Sequence, residues 1–310
     1  MSAASGNTAT GTTATVKPGS VRVGRFAPSP SGALHLGSLT TAAASFLDAR
    51  QQGGHWLIRI EDLDSSRAQP ENSAAILRLL ERLGFWWDGP VAYQSERLEH
   101  YDQALAQLSA LGLTYACSCT RADRGATSDT GGYPGTCRTG AKRPGPTATR
   151  FRADLSPVGL LHDRLRGVVE FDAAALGDPI IRRRDGCFAY QLAVVVDDSA
   201  QQVTDVVRGD DLLPSTQWQR SLLRALGQPE PRYAHLPLVC EPDGAKLSKS
   251  KRAVSVELGS PAEQLWRILS LLRQSPPPEL AREALRTVWD WAIAHWRLEA
   301  LRGVATLPAD

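Results

Sequence analysis

No window of the sequence approaches eighteen consecutive apolar residues, so a membrane-spanning helix is not expected. A secretory leader is not expected either. Residues 1–20 are mainly Ser, Thr, Ala and Gly with the single cation Lys17, and no run of seven apolar residues occurs among them; this predicts a flexible tail. Charge bias is slight: 35 Lys and Arg stand against 33 Asp and Glu, a formal net charge of +2. That excess neither implies nor excludes a nucleic-acid partner, so any RNA-binding face has to be built locally from Arg and Lys. Internal repeats are absent. Cysteine is scarce, five in 310 residues. Without a leader, these thiols point to a reducing compartment, the cytoplasm, and to metal ligation or burial rather than disulfides.

What is present reads as an ordinary globular chain, 42% apolar and 22% charged, long enough for about two domains. Val21–Phe26 is an extended run followed by a Pro/Ser/Gly turn. A helical pattern begins near Ser38, with Leu39, Ala42, Ala43, Phe46 and Leu47 on one face and Gly53-Gly54 at its stop. His55–Ile60 reads as a strand, and the stretch from Asn72 as a helix with Ile76, Leu79, Leu80 and Leu83 on one face, ended by Gly84. Strand, helix, strand, helix at this spacing predicts an α/β, Rossmann-like parallel sheet with crossover helices. From Tyr115 to about Arg150 the pattern lapses into Gly, Thr, Arg, Pro and three cysteines, as in an insertion. Regular structure returns at Val168–Phe171 and Ala189–Val196, with a helix over Ser215–Leu226 and a strand over His235–Val239. Residues 261–273 and 279–302 have helical patterning, separated by three prolines; Trp266, Trp289, Trp291 and Trp296 are expected to fill a small helical core there.

Two short motifs carry the chemistry. Pro28-Ser-Pro-Ser-Gly-Ala-Leu-His35-Leu-Gly37-Ser38 places a Gly-rich turn at a helix start, where backbone N–H groups bind phosphate oxygens. His35 there can donate to an α-phosphate or a leaving pyrophosphate. Lys246-Leu-Ser-Lys249-Ser offers two cations on a Ser-rich loop able to close over the same oxygens. Loss of one such contact raises the barrier by roughly 2.7–4 kcal/mol.

In this order and separation the motifs resemble the HIGH and KMSKS signatures of class I aminoacyl-tRNA synthetases. Gly24-Arg-Phe-Ala-Pro-Ser-Pro30, Arg59-Ile-Glu-Asp-Leu-Asp64, Tyr93-Gln-Ser-Glu-Arg97 and Val207-Arg-Gly-Asp-Asp-Leu212 narrow the likeness to the glutamyl-tRNA synthetase group, over residues 22 to about 252. The resemblance implies glutamate binding by Arg25, Phe26, Ala27, Pro28, Ser29, Glu61, Tyr190 and Arg208. It implies ATP binding by Pro28, His35, Gly37, Ser38 and Lys249, with His35, Lys246 and Lys249 catalytic and Mg2+ accompanying ATP. Electrostatically this is sensible: Arg25 and Arg208 match two carboxylates, and Glu61 one ammonium. Taken without the family pattern, Glu61 reads equally as a charge at a strand end on the surface, and Arg208 as a solvated loop residue. Ser38 and Leu247 depart from the usual signature residues. Leu for Met nearly conserves volume, and Ser38 can cap the helix, so neither change argues for a dead site.

About sixty residues follow the lysine motif, which leaves no room for the family's anticodon-binding domain. Cys117, Cys119 and Cys137 cluster inside the insertion. Both features resemble the truncated glutamyl-Q tRNA(Asp) synthetases, which attach glutamate to queuosine in the anticodon loop of tRNA(Asp). Three thiols within so short a segment can bind Zn2+, and a closed tetrahedral site needs a fourth ligand. No His lies between them. The resemblance implies Tyr133; Asp123, Asp129 or water are the generic alternatives, and spacing alone also allows three reduced cysteines in an irregular loop, with Thr127–Gly132 putting the zinc geometry in question. Cys187 and Cys240 are expected in the core.

The reading is therefore a split Rossmann-like ligase with a zinc-bearing insertion and a short helical C-terminal region. Its expected divisions are a tail (1–20), a first catalytic half (21–112), an acceptor-domain-like insertion with structural zinc (113–188), a second half with the lysine loop (189–254) and a helical region (255–310). Glutamate is activated with ATP without tRNA and passed to queuosine of tRNA(Asp) by a monomer with no membrane partner. Arg121, Arg124, Arg138, Lys142, Arg143 and Arg182–Arg184 are basic side chains available to RNA, or equally to solvent. Rival readings are a truncated enzyme charging the tRNA 3′ end, a nucleotidylyltransferase with the same signatures, and a non-catalytic tRNA- or zinc-binding paralogue.

Overall fold

The computed structural model describes residues 21–64, 66–120, 122–123, 132–172, 176–240 and 259–309. The expected tail 1–20, Arg121, Arg124, Thr127–Gly131, Asp129, Lys246 and Lys249 lie outside the described residues. The chain begins with β1 (Val23–Phe26), α1 (Leu36–Gln51), β2 (His55–Ile60), α2 (Pro70–Arg82), β3 (Ala92–Tyr93) and α3 (Leu98–Ala110). The predicted inner face of α1 has no exposed surface, but Thr40, Ala44, Ser45 and Asp48 are buried as well. The helix is thus enclosed on all sides rather than amphipathic. In α2, Ile76 and Leu80 point inward and Leu79 is half-buried. Gly84 ends that run at φ +73°, and a Cβ there would come within 2.8 Å of Leu285, so both backbone and space call for glycine.

Five strands follow: β4 (Thr114–Cys117), β5 (Ala148–Phe151), β6 (Leu161–Asp163), β7 (Gly167–Val169) and β8 (Ile180–Arg182). β4, β5 and β8 form an antiparallel sheet, and β6 with β7 an antiparallel pair. The chain continues through α4 (Tyr190–Ala200), β9 (Asp205–Gly209), α5 (Leu213–Ala225), β10 (Arg232–Leu236), β11 (Leu238–Cys240), α6 (Pro261–Leu271), α7 (Leu285–His295) and β12 (Thr306–Pro308). The strand expected over 235–239 is two strands broken at Pro237, which has no N–H for a ladder. The helix expected over 279–302 is α7 flanked by 3-10 turns at Pro278–Arg282 and Leu298–Leu301. Trp296 is extended there, and the N–H of Arg297 donates to Gln274 Oε1 at 2.8 Å instead of continuing the helix.

The main sheet has the order β10-β9-β1-β2-β3, every pair parallel. Because side chains alternate along a strand, its two faces can be read directly. Phe26, Trp56, Ile58, Ile60, Val207, Ala234 and Leu236 lie on one face and join a single apolar cluster with α1, α2, α6 and α7. The other face carries Arg25, Arg59 and Arg208, one from each central strand, with Tyr233 and His235 beside them. Against expectation the C-terminal helices have no core of their own. Trp289 and Trp296 sit in the cluster of the sheet, Trp289 meeting Phe46 and Phe85 at ring-centroid distances of 4.7 and 4.8 Å, while Trp266 and Trp291 are half-buried at its margin. Among the described residues no helix is long and apolar enough to cross a membrane.

Since Trp289 joins the sheet to α7, Trp289→Ala is expected to cost about 3–5 kcal/mol of global stability in urea unfolding. A loss below about 1 kcal/mol, or a separate early transition, would show the C-terminal helices to be an independent unit.

Candidate active site

Ligands of open parallel sheets bind beyond the carboxyl ends of the strands, where the strand order reverses. Here that point lies between β1 and β9. β1 runs into Ala27-Pro28-Ser29, and the Pro28 carbonyl accepts the Glu61 N–H at 3.0 Å, tying this loop to the end of β2. Three cavities meet there, and Ser29 lines all of them. One of about 370 Å³ is lined by Arg25, Phe26, Ala27, Glu61, Tyr190 and Arg208. A second, of about 300 Å³, is lined by His35, Gly37, Ser38, Leu238 and Val239. The third, of about 410 Å³, extends from Glu61 and Tyr190 past Asp64, Arg67, Arg183 and Phe188.

The first cavity is electrostatically unusual. Arg25 and Arg208 are each 4% exposed, and the Glu61 carboxylate is nearly enclosed, which removes the surface readings of Glu61 and Arg208. Arg25 donates to Asp198 at 3.3 Å, and Arg59 reaches Asp198 at 2.8 Å, Glu61 at 3.6 Å and Asp197 at 3.7 Å. Burial would raise the Asp198 carboxyl, but Arg25 and Arg59 outweigh it and hold it below the usual range. Glu61 goes the other way: burial lifts it to about 7 despite Arg59 and Arg25, and its Oε1 is buried without a hydrogen-bond donor. Arg208 has no carboxylate within 4.0 Å among the described residues; it donates to Tyr190, Thr216, Leu212 and His235. Among the described residues, one cation without a carboxylate and one acid oxygen without a hydrogen-bond donor thus face one cavity, beside the Tyr190 ring.

In the second cavity His35, not Ser38, is the N-cap of α1. Its Nδ1 accepts the Ser38 N–H at 3.2 Å, and Ser38 Oγ lies 3.2 Å from Nε2. A Cβ on Gly37 would lie 3.1 Å from that ring, so the imidazole rests on the helix start. The amide end of a sixteen-residue helix faces this space, a favourable setting for an anion. Lys246 and Lys249 are outside the described residues; β11, which precedes them, lines the same cavity through Leu238 and Val239.

Cys117, Cys119 and Cys137 bring their sulfurs within 4.8 Å of one another. The Tyr133 hydroxyl lies 3.4 Å from Cys117 Sγ and 3.3 Å from Cys119 Sγ, and the Arg150 guanidinium sits 3.7 Å above its ring. Asp123 is engaged elsewhere, receiving two bonds from Arg143 at 2.6 and 2.7 Å. Burial alone would raise the Cys137 thiol, but hydrogen bonds from Tyr133 and neighbouring amides pull it down to about 6. Three thiols and a phenol at these spacings form a donor set suited to a tetrahedral thiophilic cation. Cys240 is buried as expected, but Cys187 is only half-buried, at the turn after β8.

Most of the basic side chains considered for RNA are engaged: Arg138 with Asp178, Arg143 with Asp123, Arg182 with Asp102, Arg183 with Asp64 and Asp185. Arg184 donates to the carbonyls of Ser118 and Cys119, bracing the thiol cluster. The sequence reading overlooked Arg59, Asp197 and Asp198. A signal was present: each central strand, VGRF, HWLIRI and DVVRG, interrupts an apolar run with one Arg.

Residues 20–276 match the model of the tRNA synthetase class I (E and Q) catalytic domain. A glutamyl-Q tRNA(Asp) synthetase of Aromatoleum aromaticum is 50% identical over 281 residues, 89% of each chain. One of Dechloromonas aromatica is 48% identical over 92% of this chain and 98% of its own. Among solved structures, a glutamate tRNA ligase from Elizabethkingia meningosepticum, crystallised in complex with its amino acid, superposes with a TM-score of 0.75. It is 26% identical, with 94% of this chain and 67% of that one covered.

The raised Glu61 pKa has a consequence for stability. An acid whose pKa rises on folding takes up a proton between its unfolded value of 4.5 and its folded value of about 7, so stability falls as pH rises through that interval. Glu61→Gln removes this loss: the gap between variant and wild type should widen by about 2–3 kcal/mol in favour of the variant from pH 5 to pH 8. Urea unfolding at both pH values measures it, and parallel profiles would refute a Glu61 whose pKa burial raises.

Proposed function

Since the chain belongs to the class I (E and Q) tRNA synthetases and, within them, to the glutamyl-Q tRNA(Asp) synthetase family of ligases, we propose that it activates L-glutamate with ATP and transfers it to queuosine of tRNA(Asp). The observation that supports the amino-acid assignment lies in one cavity: among the described residues, Arg208 has no carboxylate within 4.0 Å and Glu61 Oε1 no hydrogen-bond donor. Glutamate brings two carboxylates and an ammonium, which complement Arg208, Arg25 and Glu61. Tyr190 supplies the apolar wall, and Phe26, Ala27, Pro28 and Ser29 form the loop beneath.

ATP is assigned to the adjoining cavity. Its phosphates face the start of α1 at His35, Gly37 and Ser38, with Pro28 at the junction; Lys246 and Lys249 close over them, and Mg2+ accompanies the nucleotide. A glutamate carboxylate oxygen attacks the α-phosphorus, forming the mixed anhydride and expelling pyrophosphate. A hydroxyl of the queuosine cyclopentene ring then attacks the activated carbonyl, and AMP leaves. The third cavity, continuous with the first through Glu61 and Tyr190, is the entrance for the modified base, extruded from the anticodon loop as single-stranded RNA bases commonly are. Activation precedes any RNA contact in this scheme and proceeds without tRNA in a cytoplasmic monomer. The divisions 21–112, 113–188, 189–254 and 255–310 remain our proposed units.

Cys117, Cys119, Cys137 and Tyr133 would hold a structural Zn2+, supplying cross-links to a segment rich in Gly and Thr. Purified protein should contain about one zinc per chain, and Cys137→Ser should lose it and melt earlier. Zinc-free wild type of unchanged melting temperature would remove the metal from this reading.

Radiolabelled glutamate offered to bulk tRNA with and without queuosine tests the acceptor. Label is expected only on the queuosine-containing pool, and glutamate-dependent ATP–pyrophosphate exchange is expected without any tRNA. Equal labelling of both pools would mean charging of the 3′ end instead.

A further inference from the structure

Arg208 commits most of its guanidinium away from the cavity. Its Nε–H donates to Nε2 of His235 at 3.2 Å and its Nη2 to Thr216 Oγ1 at 2.7 Å, while the group lies 5.6 Å from the centre of the Tyr233 ring. Nη1 is left toward the Tyr190 hydroxyl, 3.4 Å away, at the cavity. His235 can accept that Nε–H only as the neutral tautomer with its proton on Nδ1. Asp163 selects this tautomer: its Oδ2 lies 2.6 Å from Nδ1, and neither side chain has any exposed surface. Burial keeps the imidazole below its ordinary pKa even beside this carboxylate, so it remains an acceptor at neutral pH. Asp163 is itself fixed by the N–H groups of Leu165 and Arg166, both at 2.9 Å, and of His235 at 3.2 Å.

We infer that Asp163 and His235 are positioning residues that set the orientation of Arg208, so that the β6–β7 pair, far from β9 in sequence, belongs to the amino-acid site. The chain of bonds runs from the end of β6 to an imidazole on β10 and then to a guanidinium on β9. Without the acceptor at Nε2, the Arg208 Nε–H is buried and unpaired, and the guanidinium turns to find another partner. The inference rests on the proposal that Arg208 contacts a glutamate carboxylate.

Calorimetric titration of L-glutamate, with ATP as the control ligand, tests it in four variants of the full chain. His235→Phe keeps the ring and removes the acceptor; it should weaken glutamate binding roughly tenfold and leave ATP binding within about twofold. His235→Gln places an amide oxygen near the position of Nε2 and should restore most of the affinity. Arg208→Lys should itself weaken glutamate binding, and adding His235→Phe to it should cost nothing more, because the positioned group is gone. A merely structural His235 would lower the melting temperature but leave the glutamate affinity of the folded fraction unchanged; that result overturns the inference. So does a further loss in the double variant as large as in His235→Phe alone. If Arg208→Lys binds glutamate like wild type, the assignment of Arg208 falls, and the inference with it. Should His235→Phe fail to fold, Asp163→Asn, which removes the carboxylate that keeps the proton on Nδ1, must show the same selective loss of glutamate affinity for the inference to stand.

Discussion

Three guanidinium groups share one face of a parallel sheet, where apolar side chains would ordinarily be packed. A buried ion without a partner costs several kcal/mol, so this face exists only because carboxylates are brought to it. α4 supplies Asp197 and Asp198 in succession, and Glu61 directly follows β2, two residues after Arg59. Asp198 bridges Arg25 and Arg59, while Asp197 also receives bonds from Arg97, Gln94 and Tyr101. Such networks seldom add net stability over apolar packing. What this one does is geometric. It fixes the relative places of β1, β2 and α4, and among the described residues it leaves Arg208 without a carboxylate and Glu61 Oε1 without a hydrogen-bond donor at the cavity.

The neighbouring cavities extend the same arrangement. Ser29 lines all three cavities, so the spaces proposed for amino acid, nucleotide and incoming base adjoin one another. Transfer chemistry benefits from this layout, because proximity and orientation provide much of the rate enhancement when two substrates react. In the second cavity, His35 is engaged with the first turn of α1, which holds its ring at the helix end. In the third cavity, Arg183 and Asp64 pair at 3.0 Å on its lining, a contact that the base proposed to enter there would have to displace.

Much of this was legible in sequence. Alternating strand and helix patterns located β1, α1, β2 and α2 because each element buries a regularly spaced set of apolar residues. The motif residues around the crevice came together because they sit at strand ends, which a parallel sheet gathers on one edge. What escaped was decided by distant partners. Asp198 meets Arg25 across 173 residues, and Trp289 donates to the Leu83 carbonyl across 206. The periodicity of α7 reports only that one side is apolar, not whose core it enters. His35 displaced Ser38 as the cap for a local reason that propensity obscures: the imidazole Nδ1 reaches the third amide of the helix as a shorter polar side chain would.

The pairing of β11 with β12 also bears on how the protein is made. β11 is held by Thr306–Pro308 in parallel register, and Leu301 and Leu307 complete the cluster beneath the sheet. Synthesis proceeds from the other end, at roughly 5–20 residues per second. Every strand of the main sheet therefore leaves the ribosome while its apolar face still lacks α6, α7 and β12. A nascent chain that already bears both signature motifs presents Phe46, Trp56 and Phe85 without their final cover. The apolar face of the sheet is covered only once α6, α7 and β12 have emerged and packed on it, so its folding waits on segments made after every strand it serves.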